Sequence, residues 1–115
     1  MTVNVLGAQY AIKFIEKSKD PALENLDGYC DSSTNSIVVR KYTESERKEP
    51  LALGDLDAYE KKVLRHELVH AFFYESGLSC NANGHECWPQ NEEMVDWMAI
   101  QGPKLFKAWE EVGAL

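Results

Sequence analysis

Two histidines and a glutamate lie close together in the sequence, at His66, Glu67 and His70. On an α-helix, side chains four residues apart share one face, so the two imidazoles can bind one metal ion. Glu67 would then hang over the open side of that ion, where its carboxylate can take a proton from metal-bound water. The spacing therefore predicts a metal site with a general base beside it, and Zn²⁺ is the ion that this pattern favours.

The residues around this motif favour a buried helix. The run 63–74 contains neither proline nor glycine and is apolar on nearly every side, as in a helix enclosed by its protein. A buried histidine or glutamate needs a partner or a bound ion, because an uncompensated charge there costs several kcal/mol. A metal site is the favoured interpretation. The alternative is a core helix whose histidines bond to backbone or carboxylate groups.

A third metal ligand is expected downstream, because catalytic zinc takes three protein ligands and keeps one position open for water or substrate. Asp96 stands in a run of large apolar residues, where a carboxylate needs a partner such as the outer nitrogen of a zinc-bound histidine. Glu92 lies four residues earlier and shares its helix face. We predict Glu92 as the third ligand and Asp96 as the group that orients His66 or, alternatively, His70.

Glu93 is the competing third ligand. It points about 100° away from Glu92 around a helix and would not share a face with Asp96. Both glutamates also suit the first turn of a helix, where the helix dipole favours negative charge. That explanation accounts for the two glutamates but not for Asp96, so Glu92 is preferred.

Four segments have the composition of β-strands. Residues 36–42 carry the clearest signal, a β-branched run that is apolar on both faces at its centre and suits a strand inside the sheet or beside a helix. An edge of this strand near the cleft is also a candidate for holding an extended peptide. The other strands are predicted over 2–6, 9–16 and 29–31, with a tight turn at Gly7-Ala8 between the first two.

The motif helix is predicted over residues 57–76. Asp57 can cap its start, with Glu60 completing a capping box, and Gly77 suits its C-terminal cap. The charged segment 43–54 before it is predicted as a surface loop.

A second helix is predicted from Asn91 to Gln101. Gly102-Pro103 interrupts it, and Pro103 can begin a further helix through Val112. That last helix carries an apolar stripe, which is expected to pack on the core. The stripe consists of Leu105, Phe106, Trp109 and Val112.

The order of these elements predicts an α+β domain with a small antiparallel sheet on one side of two helices. The 115 residues allow one domain, residues 1–115, and are too few for two. The net charge of −7 argues against a nucleic-acid partner held through its phosphates and against an anionic membrane surface.

The expected compartment is the cytoplasm. The first residues lack the basic start and apolar stretch of a signal peptide, and no run is long enough to span a bilayer. The chain has 3 cysteines, an odd number that suits a reducing compartment better than a disulfide framework.

The motif at 66–70, followed by a helix with Asn91-Glu92 and Asp96, resembles the gluzincin metallopeptidases. The separation of the second histidine from Glu92 (92 − 70 = 22) is similar to that clan. The resemblance implies His66, His70 and Glu92 as zinc ligands, Glu67 as the catalytic base and Asp96 as the support of a zinc histidine.

Size and element order resemble the small phage- and prophage-encoded peptidases of the ImmA/IrrE type, over residues 36–101 and loosely over the N-terminal hairpin. Larger gluzincins carry a second lobe that steadies the transition state, for which this chain has no room. The resemblance implies a minimal zincin-like domain in the cytoplasm of a bacterial host. We expect it to hydrolyse peptide bonds, with one regulatory partner protein of a phage or mobile-element circuit as a candidate substrate. The alternatives are a zinc-stabilised protein-binding module without turnover and a core without metal.

Two of the three cysteines and the third histidine lie in one segment, 80–88, whose composition is typical of metal sites. Cys80, His85 and Cys87 would need a fourth ligand such as Cys30 to form a second zinc site, and the spacing matches no strong pattern. A disulfide between Cys80 and Cys87 does not suit a cytosolic chain. His85 is also a candidate donor to the oxyanion of the transition state, or a solvated loop residue. Tyr74, one turn beyond the motif, is a candidate partner near the metal or a core residue.

Overall fold

The computed structural model describes residues 1–78 and 91–115. The protein has the mixed α+β architecture predicted from the sequence, a four-stranded sheet with helices. The strands are β1 (Thr2–Val5), β2 (Ala8–Ile15), β3 (Gly28–Asp31) and β4 (Ser36–Arg40). Short 3-10 turns at Lys17–Lys19 and Pro21–Glu24 lie between β2 and β3. The helices are α1 (Glu44–Arg47), α2 (Leu56–Glu75) and α3 (Glu92–Glu111).

The sheet is mixed, with the strand order β1-β2-β4-β3. The pairs β1–β2 and β3–β4 are antiparallel, but β2 and β4 run parallel, with Ile12 opposite Ile37. The prediction of an antiparallel sheet is therefore wrong at its centre. The reason is the connection 16–27, which carries the chain to the far edge of the sheet before β4 returns beside β2 in the same direction.

Strand β4 lies inside the sheet, between β2 and β3. Its centre is buried, with Ile37 and Val39 fully enclosed and Val38 4% exposed, because both of its faces are apolar. The prediction that this segment lies inside the sheet is confirmed. The hypothesis that it offers an edge to a peptide is wrong, since both of its edges are already paired, and the outer strand on that side is β3.

Helix α2 begins earlier than predicted. Asp55 rather than Asp57 caps it, with its carboxylate accepting a hydrogen bond from the Ala58 amide at 2.9 Å. Glu60 does not complete a capping box, because its carboxylate accepts from Arg47 at 3.2 Å instead. At the other end, Gly77 follows the helix with φ +82°, a conformation that glycine adopts without steric cost.

The segment predicted as a charged loop contains α1. A capping box stabilises the start of this helix: the Thr43 hydroxyl accepts from the Glu46 amide, and the Glu46 carboxylate accepts from the Thr43 amide. The prediction of a loop over 43–54 is wrong for this one turn, because its Thr-x-x-Glu pattern satisfies the first amides of a helix.

Helix α3 is continuous through Gly102-Pro103, where the sequence predicts an interruption. A proline inside a helix removes the hydrogen bond to the carbonyl four residues earlier, which here is Ala99. The Arg65 side chain of α2 replaces that bond, because its Nε donates to the Ala99 oxygen at 2.7 Å. The neighbouring helix thus satisfies the carbonyl that Pro103 frees.

The second half of α3 does not pack on the core as predicted. Phe106 is 59% exposed, Trp109 is 39% exposed and Val112 is 76% exposed. Since Pro103 does not turn the chain, α3 keeps its direction and carries these side chains away from the sheet.

The core lies between the sheet and α2. Tyr10 of β2 is fully buried and packs with the enclosed centre of β4, and Val63 and Ala71 of α2 close the cluster. Helix α2 therefore rests directly on β3 and β4, while α3 packs against α2. Among the described helices, none combines the length and the apolar character needed to cross a membrane.

Candidate metal centre

The two histidines of the motif lie one turn apart on α2 and face the start of α3. The two helices run antiparallel here: His70 lies beside Glu92, while His66 contacts Asp96 one turn further along α3. The N-cap Asn91 fixes the start of α3, because its side chain accepts from the Met94 amide at 3.0 Å. This cap brings Glu92, the first residue of the helix, to the two imidazoles.

Three side chains bring two imidazole nitrogens and the two oxygens of one carboxylate together between the helices. The His66 Nε2 atom lies 3.0 Å from Glu92 Oε2, and the His70 Nε2 atom lies 3.2 Å from Glu92 Oε1. The two Nε2 atoms are 3.1 Å apart. Ligands of a tetrahedral zinc ion, each about 2.0–2.1 Å from the metal, are about 3.3 Å from one another. The triangle of donors therefore has the size that one small divalent cation requires.

The hydrogen-bond partner of the His66 Nδ1 atom also supports a cation site at this position. Its Nδ1 atom lies 2.7 Å from Asp96 Oδ1, so in a neutral imidazole we assign the proton to Nδ1. The Nε2 atom is then left with a lone pair directed at the other donors. A cation placed among these atoms would accept that lone pair. Without a cation, a neutral His70 Nε2–H can donate to His66 Nε2, and imidazole protons can bond to Glu92.

Asp96 holds two groups of α2 with one oxygen. Its Oδ1 atom accepts from Lys62 Nζ at 2.9 Å and from His66 Nδ1 at 2.7 Å. The hydrogen bond from Lys62, followed by that from His66, lowers the pKa of the Asp96 carboxyl below its usual range. Sequence reasoning missed Lys62, although the i, i+4 series 62, 66, 70 places it on the same helix face as the motif histidines.

Glu67 is the one buried charged residue of the described chain, with 6% of its surface exposed. Burial raises the pKa of its carboxyl to about 7; the charge of Glu92 raises it further, while His66 and Lys62 act in the opposite direction. Ligand atoms of Glu67, His66 and His70 lie within 4.8 Å of one another, a group that can hold a metal ion. We assign Glu92 rather than Glu67 to the donor triangle, because both of its oxygens lie within 3.2 Å of an imidazole nitrogen.

Glu93, the alternative ligand in the sequence interpretation, is exposed at the next position of α3. The structure brings Glu92 to the imidazoles instead. The sequence left open whether Asp96 orients His66 or His70, and in the structure Asp96 contacts His66.

The donor triangle opens into a cavity of about 480 Å³ between α2, α3 and β3. His66, His70, Glu67 and Glu92 line one side of it. The opposite side is formed by Asn25, Leu26, Asp27, Gly28, Tyr29 and Cys30. Strand β3 is the last strand of the sheet in this direction among the described residues, and its first three residues line the cavity. Sequence reasoning placed a strand near 29–31 but gave it no functional role.

Gly28 allows β3 to approach α2 closely. A Cβ atom at this position would lie 2.8 Å from Val63 Cγ1, 2.9 Å from the Val38 carbonyl oxygen and 3.4 Å from Glu67 Cγ. The absence of a side chain at Gly28 therefore sets how near the strand comes to the buried carboxylate.

The other residues named from the sequence fall into two groups. Tyr74 and Cys30 line the cavity; burial raises the pKa of the Cys30 thiol to about 12, which keeps it protonated at neutral pH. The candidates Cys80, His85 and Cys87 lie outside the described residues.

Comparisons with protein-family models, with curated proteins and with solved structures gave no match for this chain. The resemblance to gluzincin peptidases therefore stays a prediction from the motif residues.

Proposed function

We propose that this protein is a zinc-dependent peptidase of minimal zincin-like architecture. The observation that carries the proposal is the convergence of His66, His70 and Glu92, whose donor atoms lie 3.0–3.2 Å apart, beside a buried carboxylate. A purely structural metal site has no need of a base at Glu67. The resemblance adds the setting: the cytoplasm of a bacterial host, with one regulatory partner protein as the substrate.

The donor set suits zinc. Two imidazoles and one carboxylate are a ligand set found in catalytic zinc sites, which leave a position for water or substrate. When bound, zinc supplies Lewis acidity and lowers the pKa of water to about 7. Asp96 fixes the orientation of the His66 imidazole through Nδ1 and leaves its Nε2 for the metal, as partners of zinc histidines commonly do.

Glu67 acts as the general base. Its burial against β3 raises its pKa to about 7, which suits a group that must accept and return a proton near neutral pH. The carboxylate takes a proton from the attacking water and gives it to the amine that leaves the cleaved peptide. Since α2 rests on the sheet, this carboxylate is held in place before a substrate arrives.

The outer edge of β3 is the proposed binding site for the peptide. Among residues 1–78 and 91–115 no strand pairs with this edge, and an extended peptide can add to a free strand edge through main-chain hydrogen bonds. This edge replaces the one at 36–42 that the sequence suggested. Gly28 and Cys30 of this strand line the cavity, so a peptide added along the edge would pass beside the candidate ligands.

Metal analysis is the first test. The purified protein is expected to bind one zinc ion per chain, and the His66→Ala variant is expected to lose it. Glu92→Gln should weaken zinc binding, whereas Glu93→Gln, the same change one residue further, should leave it unaltered. Equal zinc affinity in the two glutamine variants would overturn the ligand assignment, and a protein that binds no zinc would support the metal-free core.

Turnover is tested separately with Glu67→Gln. This variant is expected to keep its zinc and lose hydrolysis of a peptide library by about 10²-fold or more, since general acid–base catalysis contributes on the order of 10²–10⁴-fold. Equal cleavage by both proteins would reject catalysis at this site. A zinc-loaded protein that cleaves no peptide would instead favour the binding module.

A further inference from the structure

Lys62 lies on the same face of α2 as the candidate zinc ligands, one turn before His66. Positions 62, 66 and 70 are four residues apart, so their side chains follow one another along the face that meets α3. The Lys62 side chain lines the cavity together with the two histidines. A positive charge repels a divalent cation nearby, so a lysine at this position calls for an explanation.

The contact of Lys62 with α3 supplies that explanation. Its ammonium donates to Asp96 Oδ1 at 2.9 Å, and the same oxygen accepts from His66 Nδ1 at 2.7 Å. One carboxylate oxygen of α3 therefore bridges two consecutive turns of α2. The charges of Lys62 and Asp96 also offset each other, so the repulsion between this pair and a cation is small.

Asp96 needs the second donor because it is open to water. Its side chain is 44% exposed, whereas that of His66 is 14% exposed. An exposed charged side chain loses rotational entropy when it is held in one geometry, and water competes for its hydrogen bonds. With His66 as its single donor, the carboxylate would spend part of its time turned toward solvent. The donor on the preceding turn of α2 keeps it facing the imidazole.

We propose that Lys62 is a positioning residue of the candidate zinc site: it holds Asp96 against His66 Nδ1, and thereby holds the imidazole in the orientation that directs Nε2 to the cation. The inference rests on the proposed assignment of His66 as a zinc ligand, but it does not require turnover. Lys62 acts through Asp96 and touches neither the cation nor the substrate.

Zinc affinity measures this role. Loss of a group that supports a zinc histidine commonly raises the metal Kd about 10–100-fold, and Asp96→Ala is expected in that range. Lys62→Met leaves the carboxylate in place for part of the time, so it should raise the Kd about 3–10-fold. Lys62→Arg keeps the charge and a donor and should restore most of the affinity. Lys61→Met removes the same charge from an exposed neighbour and should leave the Kd unaltered.

The double variant K62M/D96A separates positioning from charge. Once Asp96 is alanine, Lys62 has no carboxylate to hold, so its removal should not weaken zinc binding further. The affinity should even rise slightly, because an unpaired ammonium beside the cation is removed. Two losses that multiply in the double variant would overturn the proposal. An affinity of Lys62→Met equal to or higher than that of the unaltered chain would overturn it as well.

A second measurement needs no zinc. In the metal-free protein at about pH 8, where an imidazole of ordinary pKa is neutral, proton NMR gives the rate at which the His66 Nδ1 proton exchanges with water. Lys62→Met should exchange this proton about 3–10-fold faster than the unaltered chain, because its acceptor turns away for part of the time. Lys62→Arg and Lys61→Met should both exchange it at the original rate.

The two measurements together distinguish failure of this inference from failure of the proposed function. A chain that binds no zinc would refute the proposed function, and the exchange rate would still decide whether Lys62 holds Asp96 against His66. An unchanged exchange rate in Lys62→Met would refute the positioning role, even if its Tm falls. Weaker peptide binding by Lys62→Met, with unaltered zinc affinity and exchange, would overturn the inference and assign Lys62 to the substrate.

Discussion

Replacing Gly28 with alanine would place a methyl group where β3 and α2 leave no room for a Cβ atom. The added Cβ would lie 2.8 Å from Val63 Cγ1 and 2.9 Å from the Val38 carbonyl oxygen. Carbon atoms in contact are normally about 3.5–4.0 Å apart, so the strand and the helix must separate by roughly 0.7 Å or more. The Val38 oxygen belongs to the backbone of the central strand and cannot yield easily.

Overpacking of this kind typically costs about 1–3 kcal/mol. For a chain of this size the loss corresponds to a Tm lower by roughly 5–15 °C. The shift also reaches the candidate base, because Glu67 Cγ lies 3.4 Å from the same point. We therefore expect Gly28→Ala to reduce hydrolysis more than it reduces zinc affinity, since the donor triangle lies on the α3 side of α2.

Urea denaturation of four variants tests this reasoning. Gly54→Ala is the control, because nothing lies within 4 Å of a Cβ at that position, and it should be neutral or slightly stabilising. Val63→Ala removes one of the two clashing groups, so the double variant G28A/V63A should be more stable than the sum of the single effects predicts. If Gly28→Ala is as stable as Gly54→Ala, or if the two changes at the contact are additive, the close approach does not control the position of β3.

Three further predictions follow from contacts elsewhere in the chain. The pKa of the Cys30 thiol is raised from 9.0 to about 12, which lowers its thiolate fraction about 10³-fold at pH 8. With the other two cysteines changed to serine, iodoacetamide should therefore label the folded protein far more slowly than the protein in urea. Equal labelling rates would contradict the burial of this thiol. Arg65→Met should destabilise the protein by about 1–3 kcal/mol by leaving the freed helix carbonyl unpaired, and by much less in a Pro103→Ala background; the same loss in both backgrounds would refute the pairing. Burial and the hydrogen bond to Asp27 raise the pKa of Tyr59 from 10.0 to about 12. The contribution of this phenol to the free energy of unfolding is therefore complete below about pH 10 and is lost as the pH rises toward 12. In Tyr59→Phe the free energy of unfolding, measured in urea, should fall less steeply with alkaline pH, and an unchanged dependence on pH would exclude this group.

The local patterns of the sequence determined the elements and much of the candidate site. The i, i+4 spacing of His66 and His70 is a property of any helix, so it places both imidazoles on one face whatever surrounds them. The carboxylates of the second helix follow the same period, so Glu92 and Asp96 share one helix face, and both lie beside the histidines. The β-branched run of β4 likewise identified a strand inside the sheet.

Only the tertiary structure decided how these elements meet. The parallel pairing of β2 with β4 depends on where a twelve-residue connection (16–27) leads, and no local pattern encodes that path. The continuity of α3 depends on Arg65, thirty-four residues away from the carbonyl it satisfies, so Pro103 read alone predicts a break. The sequence alone does not show why Gly28 must be glycine. The lack of a side chain matters there only because α2 occupies the space that a Cβ atom would need.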